Sequence, residues 1–265
     1  MKRHIFTVSI LLVAAQLFGQ ESRFWVGGDG SFTDESHWAT VSGGEPGATV
    51  PESGTNVVFD ENSFSSVRSV VLVDEAVSVG NLTATNANFA FSGNGNLNVG
   101  GSVNVDGNAD FGKLRGALVF SASGSNTINL QSAVVGDVVI DGGNWTLTSD
   151  FETEGNITLK SGSLNTNGHN VTCAVFSATE NANALNIANS TIVCDRFLTN
   201  SAENLTVKAD GSEIVLNGSI FTDYLIAKGQ HYNIVRTKSA AKFAYDIDVD
   251  TKSTSCPTNA VENTY

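Results

Sequence analysis

The sequence has few charged residues, few prolines and almost no helical periodicity. Charged residues make up 15% of the 265-residue chain, which has 3 prolines and 1 methionine. No long stretch places apolar residues at i, i+3, i+4 and i+7, the spacing of an amphipathic helix. The 3 cysteines are too few, and odd in number, for a disulfide framework. These absences argue against a helical fold and a disulfide-stapled domain, and leave an all-β architecture.

Basic charge is scarce as well, and part of it lies at the N-terminus. Lys2, Arg3 and His4 precede the apolar run of 14 residues from Ile5 to Phe18. This layout predicts a signal peptide over residues 1–19, too short to span a bilayer comfortably. The net charge is −13, and it becomes −15 without Lys2 and Arg3. We therefore expect an exported chain with no transmembrane segment in its mature form, whose acidity argues against nucleic acid as a partner.

Short alternating runs separated by Gly and Asn dominate the remaining sequence, which is typical of strands and turns. A unit of two short strands joined by a polar turn recurs with start-to-start spacings of 15, 21, 20, 19, 28 and 20 residues. The units begin at Leu82, Leu97, Leu118, Val138, Ile157, Leu185 and Leu205. A period of about 20 residues is the signature of a solenoid, and stacking the copies buries these apolar starts in one column.

The sequence therefore predicts an all-β, right-handed parallel β-helix, with an antiparallel β-sandwich as the alternative. The predicted divisions are a signal peptide (1–19), an N-terminal cap with the first strands (20–75), the β-helix repeats (76–218), and a C-terminal cap with an irregular tail (219–265). Strands are expected at 57–59 and 70–73. Cys173 and Cys194 lie about one period apart and are predicted to stack as buried thiols rather than to form a bridge. Cys256, outside the repeats, is either free or bonded elsewhere.

Motifs near the N-terminus resemble those of a known class of proteins. The run W-V-G-G-x-G-x-F-x-x-x-x-x-W (25–38) is followed by G-G-x-P-G-A (43–48) and N-V-V-F-D-x-N-S-F (56–64). These motifs resemble the N-terminal β-helical region of large secreted surface proteins and adhesins of Bacteroidetes, exported by the type IX, gliding-associated secretion system. The resemblance implies a location at the exterior of the outer membrane. It also implies a C-terminal sorting domain, which nothing after Phe243 matches, so the chain is a fragment or follows another export route.

Candidate sites are sparse. Carboxylates on or beside the repeats, expected to be turn residues rather than a catalytic pair, are Asp106, Asp110, Asp137, Asp141, Asp150, Glu152 and Glu154. No catalytic residue or cofactor is predicted. Asp29, Ser31, Asp34 and Glu35 offer oxygen ligands in a Gly-rich loop, which suggests a calcium site. Trp25 and Trp38 are candidates for stacking on sugars, whereas Trp145 is expected to pack in the core.

These features predict a non-enzymatic, cell-surface adhesin or structural module that is part of a larger assembly. Its expected partners are cell-surface proteins or glycans, and exposed strand edges would also allow end-to-end self-assembly. The alternative is a carbohydrate-binding or polysaccharide-degrading β-helix, a polysaccharide lyase or glycoside hydrolase. A groove lined by carboxylates would favour that alternative, and a flat face of Asn, Ser and Thr would favour the first hypothesis.

Overall fold

The structure, a computed structural model, describes residues 20–66, 68–131, 133–199, 201–202, 204–218, 224–226, 231–237, 242–244 and 248–254. The predicted signal peptide and Cys256 lie outside these residues. One 3₁₀ turn is present, Glu35–His37. The strands, in chain order, are β1 (Ser22–Trp25), β2 (Gly30–Ser31), β3 (Trp38–Ala39), β4 (Asn56–Phe59), β5 (Ser69–Leu72), β6 (Val77–Val79), β7 (Leu82–Ala84), β8 (Phe89–Gly93), β9 (Leu97–Val99), β10 (Val103–Val105), β11 (Ala109–Leu114), β12 (Leu118–Phe120), β13 (Ser125–Leu130), β14 (Val138–Leu147), β15 (Phe151–Glu152), β16 (Asn156–Asn165), β17 (Val171–Thr172), β18 (Val175–Asn186), β19 (Thr191–Cys194), β20 (Arg196–Leu198), β21 (Thr206–Lys208), β22 (Glu213–Leu216), β23 (Tyr224–Ile226), β24 (His231–Thr237), β25 (Lys242–Ala244) and β26 (Asp248–Thr254).

The chain forms a right-handed parallel β-helix of about 8 turns, which confirms the predicted fold class. Successive strands of a turn lie on up to three faces. The first face stacks β6, β9, β12, the starts of β14, β16 and β18, then β20, β23 and β25. The second face stacks β1, β4, β7, β10, β13, the ends of β14, β16 and β18, then β21. The third face carries a four-stranded sheet (β2, β5, β8, β11) and a six-stranded sheet (β15, β17, β19, β22, β24, β26).

Columns of apolar side chains fill the interior because every strand alternates inward and outward residues. On the first face, one inward column is Val77, Leu97, Leu118, Val138, Ile157, Phe176 and Phe197. Every member of this column is at most 6% exposed. Each such side chain contributes about 1.5–3 kcal/mol through its burial. Trp145 is also buried and its ring lies 5.0 Å from that of Phe120, as predicted.

The single column predicted from the sequence is correct for its central members only. Leu97, Leu118, Val138 and Ile157 pair in register on the first face. Leu82 belongs to the second face, where it pairs with Val57 and Val103. Leu185 also lies on the second face, and no strand pairing includes Leu205 among the described residues. The two irregular spacings, 15 and 28 residues, occur where the predicted column passes from one face to another. Such a shift is possible because inward apolar residues occur on all faces of a turn.

Side-chain acceptors at the corners link one turn to the next. Asn56 Oδ1 accepts from Asn81 N at 2.9 Å, and Asn81 Oδ1 accepts from Ser102 N at 2.7 Å. Similar bonds run from Ala117 N to Asn96 Oδ1 and from Asn156 N to Asp137 Oδ1. These acceptors satisfy amides that leave the strand ladder at the bends. Asn residues at equivalent corners thus connect successive turns.

Aromatic side chains pack at the N-terminal end of the solenoid. The rings of Trp25 and Trp38 lie 5.1 Å apart at an interplanar angle of 90°, and Phe32 contacts Trp38 at 4.9 Å. The neighbouring Arg23 is nearly buried and donates to Thr49, so the loop after β3 covers this end. Strands β4 and β5 agree with those expected at 57–59 and 70–73.

Parallel pairing continues past the boundary predicted at residue 218. β23 and β25 extend the first face, and β24 and β26 extend the third. The structure therefore differs from the predicted irregular tail at Thr251–Thr254, because these residues pair with β24. These strands pair with the preceding turn in the same parallel manner as the repeats.

Candidate functional site

A groove of about 700 Å³ opens on the third face, between its two sheets. It crosses four consecutive turns, and at about 4.8 Å per turn this corresponds to roughly 14 Å along the solenoid axis. Its lining residues are Ala133, Val134, Val135, Asp150, Phe151, Glu152, Thr153, Glu154, Asn170, Thr172, Thr191 and Val193. A solenoid face is otherwise a continuous sheet, so this groove is the natural candidate for a binding site.

The groove exists because one turn forms no strand on the third face. After β13, the segment at 133–135 makes only an isolated parallel bridge between Val134 and Asp110. Phe111 N donates to Val134 O at 2.7 Å, while the Val134 side chain remains 50% exposed. On the other side, the Thr153 hydroxyl lies 2.8 Å from Val135 O and 2.6 Å from Gly136 O, in donating geometry. A buried side-chain donor thus replaces the backbone donors of a regular ladder at this point.

Three carboxylates line the groove. Asp150, Glu152 and Glu154 are exposed and alternate with the inward-facing Phe151 and Thr153. This alternation is that of an extended strand, so the three acids share the outer side. Sequence reasoning treated them as separate turn residues, although the pattern D-F-E-T-E indicates such an outward acidic row.

Asp150 is held by the turn that follows it. Its Oδ1 accepts a hydrogen bond from Asn170 N at 2.8 Å, and His169 Nδ1 lies 3.6 Å from the same oxygen. Asn170 Oδ1 in turn accepts from Thr191 N at 3.0 Å. Asp150 is therefore partly structural, whereas the side chains of Glu152 and Glu154 are exposed in the groove, which leaves their oxygens available to a ligand.

A smaller hollow of about 230 Å³ lies on the same face, one sheet earlier. It carries both signs of charge, since Arg68, Lys113 and Asp110 line it together with Asn88, Phe89, Ala90 and Asn108. Asp110 also bridges to Val134 of the larger groove, so the two depressions lie on neighbouring turns. Together they extend over seven turns, or roughly 29 Å at the usual strand spacing.

The predicted calcium ligands are not gathered around a common point. Asp29 Oδ1 accepts from Val70 N at 2.8 Å, and Ser31 Oγ contacts Thr33 Oγ1 at 3.1 Å. Asp34 caps the 3₁₀ turn by accepting from Ser36 N, and this bond holds the pKa of Asp34 below its usual value. Within the described ranges, no three His, Cys, Asp or Glu side chains are placed to share a metal ion. The loop thus uses Asp29 and Asp34 for its own conformation, and Glu35 does not join them.

The two tryptophans proposed to stack on sugars have no exposed surface. Trp25 and Trp38 are both 0% exposed, and their indole N–H groups donate to Gly28 O and Phe32 O at 2.8 Å. A sugar needs an open ring face, so neither ring serves as a platform in this structure. They belong to a packed aromatic cluster in the first turn instead.

Neither a protein-family model, nor a curated protein, nor a solved structure shows a significant match to this chain. In the part of the chain that the structure describes, no helix is long and apolar enough to cross a membrane.

Proposed function

We propose that the protein is a non-enzymatic adhesion module, exported to the cell surface, that binds an extended glycan along its third face. The observation that supports this proposal is the groove of about 700 Å³ in a solenoid side that would otherwise be flat. Its extension into the smaller hollow suits a polymer of several units rather than a compact ligand. The resemblance to secreted Bacteroidetes surface proteins is the reason for proposing this location.

The chemistry of the lining favours a neutral or amino-bearing glycan. Its polar groups are three carboxylates, Asn170 and hydroxyls of threonine, with aliphatic surface from Val134 and Val193. Carboxylates accept hydrogen bonds from sugar hydroxyls, and these charge-assisted bonds are stronger than neutral ones. Lys and Arg are absent from the residues that line the groove, and His169 lies only beside Asp150, so an anionic polymer would be repelled by Glu152 and Glu154.

The same carboxylates support a second candidate, cleavage of a polysaccharide. Glycoside hydrolysis needs two carboxyl groups on opposite sides of the bond that is cut. Glu152 ends β15 and Glu154 lies two residues further along, and both are exposed in the groove. Side chains in one row approach a ligand from the same side, and for this reason we favour binding over cleavage as the function of the groove.

A polysaccharide panel with residues 20–265 tests both candidates in one experiment. Binding is recorded together with new reducing or unsaturated ends, with and without EDTA. The double variant Glu152→Gln/Glu154→Gln removes charge from the groove, and Thr172→Trp fills it. Hydrogen bonds to a charged group contribute about 1.5–3 kcal/mol, so the double variant should weaken binding by roughly tenfold or more.

Glu75→Gln is the matched control, because Glu75 is exposed and lies at a corner outside the groove. Binding that is lost in the groove variants, retained in the control and unaccompanied by product supports the adhesion module. Product that disappears in the double variant would establish the enzyme instead. Binding unchanged in all three variants would rule out the groove as the site.

A further inference from the structure

Cys173 and Cys194 occupy the same inward column on consecutive turns of the third face. Their neighbours Thr172 and Val193 are paired in parallel register, and Cys173 N donates to Val193 O at 3.0 Å. The two thiols are 5% and 1% exposed and are both unbonded covalently, and the register of their strands places them on neighbouring turns of the interior. The sequence prediction that they stack as buried thiols is therefore confirmed for this structure.

The strand geometry brings the two residues within range of a disulfide. Paired residues on neighbouring strands lie about 4.7–4.9 Å apart, and disulfide-linked Cα atoms lie about 4.4–6.8 Å apart. The Cβ atoms must approach to about 3.5–4.5 Å, which requires only a fraction of an ångström of movement. Cys173 directly follows β17 and Cys194 ends β19, so both lie at the end of a strand.

We propose that Cys173 and Cys194 form a disulfide that cross-links two consecutive turns when the chain folds in the presence of a disulfide oxidant. One cysteine thiolate attacks the oxidant's disulfide and releases the first oxidant thiol. The second cysteine thiolate attacks the resulting mixed disulfide and releases the second. The two cysteines lose two protons and two electrons, and the oxidant is reduced to two thiols. This inference does not rest on the proposed function.

Burial determines when this reaction takes place. The hydrogen bond from Cys173, followed by burial, raises the pKa of the Cys194 thiol well above its usual value. A protonated, enclosed thiol exchanges slowly, so the bond should form while the turns are still closing. Once formed, it is shielded from reductants by the same packing. Exchange should therefore be tested by refolding rather than by treating the folded protein.

The experiment uses the full chain with Cys256→Ser, which leaves two thiols. The reduced, unfolded protein is refolded either with oxidised and reduced glutathione or with dithiothreitol, and free thiols are counted after denaturation. We expect two free thiols after dithiothreitol and none after glutathione, with peptides containing 173 and 194 linked and two hydrogens lighter. Closing a loop of this length should raise Tm by about 5–10 °C over the reduced form.

The variants Cys173→Ala and Cys194→Ala, each combined with Cys256→Ser, should show no difference in Tm between the two refolding conditions. Two free thiols after refolding with glutathione would overturn the proposal, as would glutathione adducts in place of the linked peptides. The wild-type chain supplies a further check. If Cys256 were linked there to either partner, the cross-link between the turns would also be refuted.

Discussion

Glycines at the corner between the third and first faces let successive turns approach closely, and Gly116→Ala tests how much stability depends on this. A Cβ at Gly116 would lie 2.0 Å from Gly95 O and 2.9 Å from Asn96 N. Real Cβ contacts essentially never fall below about 3.0 Å, so the two turns would have to separate by roughly 1 Å. Both close atoms belong to the backbone, which cannot rotate away as a side chain can.

Separation by this amount would break the hydrogen bonds that join these turns. Arg115 N donates to Gly93 O at 2.8 Å, Leu97 N to Ala117 O at 3.1 Å, and Ala117 N to Asn96 Oδ1 at 2.9 Å. Each bond contributes about 0.5–1.5 kcal/mol, and overpacking itself costs about 1–3 kcal/mol. The expected loss is therefore about 3–5 kcal/mol in the free energy of unfolding.

Urea denaturation followed by far-ultraviolet circular dichroism measures this loss. With an m value near 3 kcal/mol/M, the midpoint should fall by roughly 1–1.5 M. The control is Gly124→Ala, because a Cβ at Gly124 meets nothing within 4 Å. Both changes remove one glycine from the unfolded chain, so that contribution cancels in the comparison. Two variants with midpoints within about 0.2 M of each other would refute the close-approach argument.

Two further predictions concern the side chains that join turns. Asn81→Ala removes the acceptor of Ser102 N and should lower the free energy of unfolding, measured in urea, by about 2 kcal/mol. The control Asn104→Ala loses one exposed hydrogen bond to Asn129 and should lower it by about 0.5 kcal/mol. Equal losses in the two variants would contradict the role of the corner hydrogen bond. The Lys160 ammonium, through its hydrogen bond, holds the pKa of Asp141 below its usual value. The Asp141–Lys160 pair therefore stabilises the fold above about pH 4, and this stabilisation is lost as the pH falls through the pKa that Asp141 has in the folded state. Asp141→Asn should therefore cost under about 1 kcal/mol at pH 7 and less at pH 3, and a loss independent of pH would count against this pairing.

The sequence predicts the fold because the number of residues in a turn appears as the spacing between its recurring apolar residues. From Val77 to Phe197, residues in one column follow each other at 19 to 21 positions, which is the period visible in the sequence. The assignment of residues to faces is less visible, since Leu82 and Leu97 both begin alternating runs. A period gives the length of a turn but not the face on which a given run lies.

The groove could not be predicted from the same pattern. Ala133, Val134 and Val135 form an apolar run that indicates a buried strand. In the structure this run makes a single bridge and leaves the Val134 side chain half exposed, because Thr153 takes the carbonyl oxygens of the following residues. Pairing across turns decided this outcome, and local sequence carries no information about it. The sequence pattern predicts that Asp150, Glu152 and Glu154 share one side of the chain, but it does not predict that they lie beside a missing strand.

A solenoid can lose one strand without losing its fold, and this explains how a groove arises in the middle of the rod. The stability of stacked repeats is approximately a sum over neighbouring turns. The described residues 133–137 form no third-face strand, yet β12 still pairs with β9 and β14, and β13 pairs with β10 and β14. Two faces therefore keep the turn in register while the third opens. The lost inter-strand hydrogen bonds are confined to one segment of the third face, and the hydrogen bond of the Thr153 hydroxyl partly offsets them. The resulting groove is lined by the side chains of the next three turns.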